Sequence, residues 1–287
     1  MKTLLLIDTH ALVHRFFHAL PPFTGPKGEP TNALYGMSGV LIKIIKDQKP
    51  DYIAAATDRP EKTFREEQFK EYKIQRPPAA NELVAQLIRM PELFENFGVK
   101  VFSVAGYEAD DIIGTLVEKF REEPDLKIVV LSGDLDILQL VQDDKVVAQM
   151  FKTGITETVI YNEEAVVAKY GLKPSQLPDY KGFIGDNSDN IPGVKGIGPK
   201  TIVPLLQEFI TAEEVYNSLG IIPEKTFKKL EGHKEEAFFS KKLATIQRDV
   251  PLALASLEEL KTQPLNVEKL ADFFKSLGFE SLVKRLS

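Results

Sequence analysis

The chain of 287 residues contains no cysteine, which excludes disulfides, thiolate zinc sites and cysteine nucleophiles and fits a reducing compartment. No apolar run approaches the roughly 20 residues that a membrane helix needs. The opening MKTLLLIDTH has too short an apolar stretch for a signal peptide, and Asp8 interrupts it. Repeats and low-complexity tracts are absent too. Positive charge is in deficit, with a net charge of −6 and a pI near 5.5, which argues against a nucleic-acid coat held by bulk charge but leaves room for a local basic face. What is present is ordinary for a globular chain: 43% hydrophobic and 27% charged residues, enough for one large domain or two small ones at about 150 residues each.

Four short apolar runs, each followed by acid, organise the first part. Thr3–Ile7 runs into Asp8 and Tyr52–Thr57 into Asp58; Val99–Val104 precedes Glu108, Asp110 and Asp111; Ile128–Leu131 precedes Asp134 and Asp136. Nearly continuous aliphatic runs of this length predict strands buried on both faces, hence parallel. Helical spacing over Leu34–Ile45, Asn81–Phe97 and Glu108–Phe120 supplies the crossovers, with Pro91 expected to kink or split the second. The alternation predicts a doubly wound, mainly parallel α/β sheet, whose ligands sit beyond the carboxyl ends of the strands. Past about Gly171 the strand-like runs stop and short helical segments take over, so a boundary near residue 172 is expected, with an α/β domain over 1–172 and a helical domain over 173–287.

Spacing gathers the acids on that rim. Glu108 and Asp111 share a face at a helix start, and Asp134 and Asp136 alternate at a strand exit. GDNSDN adds Asp186 and Asp189, giving nine with Asp8, Asp58, Glu108, Asp110, Asp111, Asp134 and Asp136. Two like charges 4 Å apart repel by about 1 kcal/mol in water and about 4 kcal/mol at an effective dielectric of about 20. Several such pairs would consume much of a domain's roughly 5–15 kcal/mol of stability, so protonation or cations must relieve them. Oxygen ligands without His or Cys select Mg²⁺ or Mn²⁺, and two such ions are a device for in-line displacement at a phosphodiester. Any one of these acids alone reads more simply as a helix cap or solvated loop tip; the set favours metal.

Ile191–Thr201 reads IPGVKGIGPKT. It nearly matches a P-loop, but Pro199 separates Gly198 from Lys200 and no strand precedes it; a dinucleotide fingerprint fails for want of the third glycine. A tight hairpin remains, handing over to a helix at Pro199, whose free N–H groups can hold a backbone phosphate. That is the logic of a helix–hairpin–helix DNA grip, with a surface turn as the plainer alternative. Pro204 should bend the new helix early. Lys62, Arg65, Lys70, Lys73 and Arg76, interleaved with Phe64, Phe69 and Tyr72 and diluted by four glutamates, read as an ion-paired helix or as a mobile segment for single-stranded DNA. Residues 225–242, with six lysines against three glutamates, are a modest duplex-contact candidate. His10, His14 and His18 share one helical face, where packing or polar surface is favoured over a metal box.

With these segments together, the chain resembles the bacterial 5′-nuclease family, the 5′→3′ exonuclease and flap endonuclease domain of DNA polymerase I and its free-standing relatives. LLLIDTHALVHRFFHAL, FREEQFKEYKIQRPP, GYEADDIIGTL, LSGDLDILQLV and GDNSDNIPGVKGIGPKT carry the resemblance across nearly the whole chain. It implies a PIN-like fold with a helical, DNA-binding extension and places the family's metal acids on the nine named above. It puts a helical arch over about 61–80, with Lys73 and Arg76 steering the scissile phosphate, and DNA or phosphate contacts at Arg15 and Arg65. The hairpin residues Gly193, Lys195, Gly196, Gly198, Lys200 and Thr201 then grip DNA, with a monovalent cation such as K⁺ held by backbone carbonyls. Thr9, Leu135, Ile202 and Pro204 depart from the family pattern. Leu135 replaces a lysine common between the paired aspartates, removing one nearby cation.

The resemblance thus implies a Mg²⁺/Mn²⁺-dependent, two-ion, structure-specific 5′-nuclease for DNA with a 5′ flap or free 5′ end, serving replication and repair and leaving a 5′-phosphate and a 3′-hydroxyl. It implies a cytoplasmic, nucleoid-associated monomer with no membrane and with a DNA polymerase in cis or in trans, since SLGFESLVKRLS is where such a domain closes within a polymerase. Two other readings are a flap-DNA binding module with an idle metal site and a PIN-like ribonuclease, which has no need of the hairpin.

Overall fold

The computed structural model describes residues 1–152, 154 and 157–286. Its centre is a six-stranded sheet in the order β3-β2-β1-β4-β5-β6, built from β1 (Lys2–Asp8), β2 (Tyr52–Ala56), β3 (Lys100–Phe102), β4 (Leu126–Ser132), β5 (Val146–Phe151) and β6 (Thr158–Tyr161). The first five strands are parallel and β6 pairs antiparallel with β5 at one edge. Alternate residues of the central strands enter two separate cores. Leu5, Ile7, Val129 and Leu131 face one side, and Leu4, Leu6, Ile128 and Val130 face the other. Period-two alternation with both faces apolar is what a sheet covered on both sides requires, so the doubly wound reading holds. The four expected strands stand at or within the apolar runs. Of the two extra ones, β5 has no acid at its exit, and β6 is a short edge strand whose residues are mostly exposed, so it lacks the continuous buried run that marked the others.

One face is covered by α1 (Thr9–Ala19), α2 (Asn32–Lys43), α4 (Asn81–Asn96) and α12 (Val267–Ser276). α3 (Phe64–Gln68) starts the segment that crosses the rim, and α5 (Ala109–Phe120) covers the other face. α4 is one helix despite Pro91. Leu83, Met90, Leu93 and Phe94 bury one stripe at helical spacing, while Pro91 lies exposed on the opposite side and displaces no core side chain.

The rest is helical: α6 (Glu163–Tyr170), α7 (Leu177–Ile184), α8 (Pro199–Phe209), α9 (Ala212–Asn217), α10 (Glu224–Leu230), α11 (Lys234–Ala244) and, after α12, α13 (Glu280–Val283). Phe183, Ile202, Leu206, Val215 and Ala237 centre a third core there. α8 also runs through its exposed proline, Pro204, without stopping. The expected two-part division needs one amendment. Ile246, Val250, Leu254 and Leu260 pack under the sheet with α5, and Leu270, Phe273, Phe274, Phe279 and Leu282 pack with α2 and α4. The chain therefore leaves the α/β body near residue 172, builds the helical core over about 172–244, and returns to both faces of the sheet. Among the described residues no helix is long and apolar enough to cross a membrane.

Candidate active site

A cleft of about 780 Å³ opens beyond the carboxyl ends of the strands. Seven of the nine acids line it: Asp8, Asp58, Glu108, Asp110, Asp134, Asp136 and Asp186. Asp8 closes β1 and caps α1 by accepting from the Ala11 N–H at 3.1 Å. Its other oxygen accepts from Ser132 Oγ at 2.6 Å, and burial pushes its carboxyl up to about 7 against those bonds. Asp58 accepts from the Ala109 N–H at 2.7 Å and lies 3.5 Å from His10 Nδ1. Asp110 sits in the first turn of α5, and its buried Oδ1 has no hydrogen-bond partner. Burial and then Asp111 hold its carboxyl well above the ordinary range. Asp134 caps the 3₁₀ turn Leu135–Leu140, accepting from the Asp136 N–H at 2.9 Å. Burial and then Asp134 push Asp136 up to about 6.

The acids do not face one another unscreened, as the sequence pattern suggested. Five carry lysine or arginine partners: Glu108, Asp111, Asp136, Asp186 and Asp189. Asp8, Asp58, Asp110 and Asp134 have none among the described residues. As the side chains stand, no three carboxylates or imidazoles among the described residues are arranged to hold a metal ion.

Asp111 is fully buried and off the cleft. It receives both arms of Arg65, at 2.7 and 2.8 Å, plus the N–H groups of Glu108 and Gln247, so its oxygens anchor structure and are not open to a ligand. Arg65, expected to touch DNA, is 2% exposed and also donates to the Leu243 and Thr245 carbonyls. Both expectations are corrected for the same reason: these two charges satisfy each other inside the protein and tie α3 to α5 and the end of α11. Arg15 is likewise away from the cleft lining, with Nε donating to the Gly154 carbonyl at 2.9 Å and the guanidinium over the Phe151 ring.

The segment expected as a helical arch is helical only over α3; residues 69–76 form turns that lie down on the 187–190 loop. Lys73 N–H donates to the Asp189 carbonyl and Asn190 Nδ2 to the Glu71 carbonyl, at 2.9 and 2.7 Å, and Gln75 donates to the Asn187 carbonyl. Lys73 takes a left-handed backbone, φ +54°, which costs a non-glycine residue about 1 kcal/mol. That places its ammonium 2.6 Å from Glu108 and 3.9 Å from Asp189. Burial disfavours the charged lysine, but Glu108, Asp189 and Asp110 outweigh it and its pKa rises. Arg76 reaches Asp189 at 2.5 Å. Lys73 and Arg76 both line the cleft.

Three participants carried no site signal in the sequence. Tyr72, read above only as an aromatic between cations, is buried with its hydroxyl 3.0 Å from Asp189 Oδ2 and 3.2 Å from Glu108 Oε2, its one proton shared between the two carboxylates. Ser132 links Asp8 to Asp134, whose N–H it accepts at 2.9 Å. Lys181, on α7, pairs with both Asp136 and Asp186. Leu135, between the paired aspartates, is 42% exposed and lines the cleft; of the two, Asp136 alone meets an ammonium, that of Lys181.

The hairpin joins α7 to α8. Gly193 has φ +64°, and a Cβ there would sit 2.2 Å from the Gly185 nitrogen, so the close crossing of 185 and 193 admits glycine only. Gly196, at φ +80°, turns the tip, and Gly198 is the N-cap of α8. Lys195 and Lys200 are exposed beside it and Thr201 is half-buried. The Gly196 carbonyl accepts from Lys229 Nζ at 2.8 Å, so it already faces a cation of this chain. His10 and His14 line the cleft with ring centroids 4.9 Å apart; burial, then His10 and His18, lower His14 to about 4.

An acid-lined rim on a doubly wound sheet, beside a hairpin-bearing helical core, defines a nuclease-type fold. The bacteriophage T5 D15 flap endonuclease, solved as a pseudo-enzyme–product complex with DNA and metal ions, shares that fold, with a TM-score of 0.70 at 20% identity over 99% of this chain and 98% of that one. Residues 3–171 match the 5′-3′ exonuclease N-terminal resolvase-like domain and residues 172–268 the 5′-3′ exonuclease C-terminal SAM fold. The chain belongs to the 5′-3′ exonuclease family. It is 35% identical to the 5′-3′ exonuclease of Aquifex aeolicus over 100% of this chain and 96% of that protein. It is 42% identical to DNA polymerase I of Caldicellulosiruptor bescii over 99% of this chain. The chain spans about a third of the length of the polymerase relatives it matches, 33% in that case.

Proposed function

We propose that this chain is a structure-specific 5′-nuclease, acting as exonuclease and flap endonuclease on DNA with a free 5′ end or a 5′ flap and using Mg²⁺ or Mn²⁺. The observation that carries the reading is the convergence of seven acids from separate strand ends and one loop on a single cleft. Asp110 Oδ1 is buried there without a partner, an acceptor whose desolvation only a cation or proton can offset. The donor set is all oxygen, which suits hard divalent ions. Asp8, Asp58, Asp110 and Asp134 would hold one ion, with Glu108 beside them, and Asp136, Asp186 and Asp189 a second; bound there, such ions supply Lewis-acid stabilisation and a water of lowered pKa. Asp111 would act indirectly, by fixing Arg65 under Glu108.

Lys73 and Arg76 project into the same cleft and are placed to offset charge that builds on the scissile phosphate. They exchange their carboxylate partners for phosphate oxygens as the strand enters. The N–H groups at the start of α8, with Gly193, Lys195, Gly196, Gly198, Lys200 and Thr201, grip a duplex phosphate, and K⁺ at the hairpin carbonyls would need Lys229 to yield the Gly196 carbonyl. Arg15 would meet DNA only on leaving Gly154. The protein works as a cytoplasmic monomer at the nucleoid in replication and repair, with a DNA polymerase in cis or in trans.

A labelled 5′-flap duplex incubated with Mg²⁺ or with EDTA tests the reading. Cleavage in Mg²⁺ alone is the expected result, and intact flap in both overturns it. The five ion-paired acids favour one rival, a flap-binding module with an idle site. Tight flap binding that is unaltered in Asp134→Ala, with no cleavage in Mg²⁺, would select that rival.

A further inference from the structure

The four cations that reach the acids come from two places. Arg65, Lys73 and Arg76 belong to the segment that crosses the rim, whereas Lys181 belongs to α7, the element that leads into Asp186 itself. Lys181 Nζ lies 2.6 Å from Asp186 Oδ2 and also pairs with Asp136. These two carboxylates come from elements far apart in the chain, the turn after β4 and the loop after α7. Asp134, two residues before Asp136, has no lysine or arginine partner among the described residues, and the intervening Leu135 brings no charge. A lysine ammonium is a compact point charge on a flexible stem with only three donors; it can hold two carboxylates together but can also swing away.

We propose that Lys181 is a positioning residue that stands in for the second divalent ion. It holds Asp136 and Asp186 around a positive charge before the ion arrives, and the ion must displace it. This inference rests on the two-ion reading above. Its consequence is a coupling between the ammonium and the ion, and coupling of this kind is reciprocal. Lys181 makes the metal-free cleft more stable and makes the second ion bind more weakly than the first, so that the second site fills only when a further source of affinity, such as a phosphodiester in the cleft, is present.

Mn²⁺ titration of the whole chain without DNA, read by the resonance of free Mn²⁺ and by calorimetry, tests this in the native protein, Lys181→Met and Lys181→Arg. The native protein should show one stronger and one weaker class of ion. Lys181→Met should tighten the weaker class about tenfold, within the usual range of such couplings, and leave the stronger class unchanged. Lys181→Arg keeps the charge and should titrate like the native protein. In EDTA, Lys181→Met should melt at a lower temperature and regain more than the native protein on adding Mn²⁺. A purely structural lysine would lower stability in both conditions and tighten nothing. Should Lys181→Met not fold, competitive acetylation of the native protein answers the same question: Lys181 should be protected in EDTA and become reactive in Mn²⁺. A weaker class that is equal in all three proteins, or protection unaltered by Mn²⁺, overturns the role of Lys181 alone; no Mn²⁺ bound by any of them overturns the two-ion reading with it.

Discussion

The two halves of the acidic rim are held in opposite ways. Asp8, Asp58 and Asp134 are fixed by bonds to backbone and hydroxyl donors at the strand ends and the start of α5, Asp110 is buried beside them with Oδ1 unpartnered, and none of the four has a lysine or arginine partner among the described residues. Asp136, Asp186, Asp189 and Glu108 are covered by cations from outside the sheet. One half is a frame set by the strand ends, in which burial disfavours the charged form of Asp8 and Asp110 and raises their carboxyl pKa values. The other is neutralised by side chains that can leave. A rim built wholly the first way would be costly without metal, and one built wholly the second way would have no preset place for an ion.

The sharpest way to break this comparison is to remove a frame acid. Asp134→Ala should lower the flap-cleavage rate in Mg²⁺ about a thousandfold while binding to uncut flap in Ca²⁺ persists; a loss of only a few-fold would mean that the frame does not hold the chemistry. Next comes the buried pair that ties the crossing segment to the frame. Arg65→Ala leaves Asp111 charged and unpaired inside the protein, and urea denaturation should show a loss of about 3 kcal/mol. Lys73→Ala tests the removable half. Cleavage should fall roughly thirtyfold, less than for the frame acid because one cationic contact to the phosphate is lost while Arg76 remains, and limited proteolysis within residues 69–76 should quicken as the hold on Glu108 is released.

The smallest effect concerns pH. His14 is held at about 4 when folded, whereas an unfolded histidine takes up its proton near 6.5. Stability is therefore undiminished above about 6.5 and falls as the pH drops towards 4, because only the unfolded chain gains the proton there. His14→Gln removes that term. Thermal melts should show the native protein losing about 1 kcal/mol more than the variant between pH 6.5 and 4, a value reduced from the full shift because the half-exposed ring is screened by water.

Where a single residue's pattern carried the information, it was legible. The apolar runs ending in Asp8, Asp58 and Asp134 named three of the parallel strands and the rim they share, because a strand buried on both faces must be apolar throughout and its exit must turn to polar residues. Gly193 and Gly196 announced a hairpin, because a left-handed backbone admits little else. β5 escaped notice because no acid follows it, and the split that Pro91 suggested did not occur: α4 runs on through it with the proline exposed.

Charge pairing was the least legible feature. In sequence, Arg65 sits among glutamates and reads as surface, yet it lies buried against Asp111, 46 positions away. Lys181 and Asp136 are 45 apart, and nothing local to either marks the other. The linear order of residues was enough to determine a doubly wound sheet with its negative rim and its hairpin, since periodicity and backbone conformation are local properties. Which acids stay open and which meet a cation was decided only when α7, the crossing segment and the returning tail were packed together. Coulomb energy depends on distance and burial in space, and separation along the chain fixes neither.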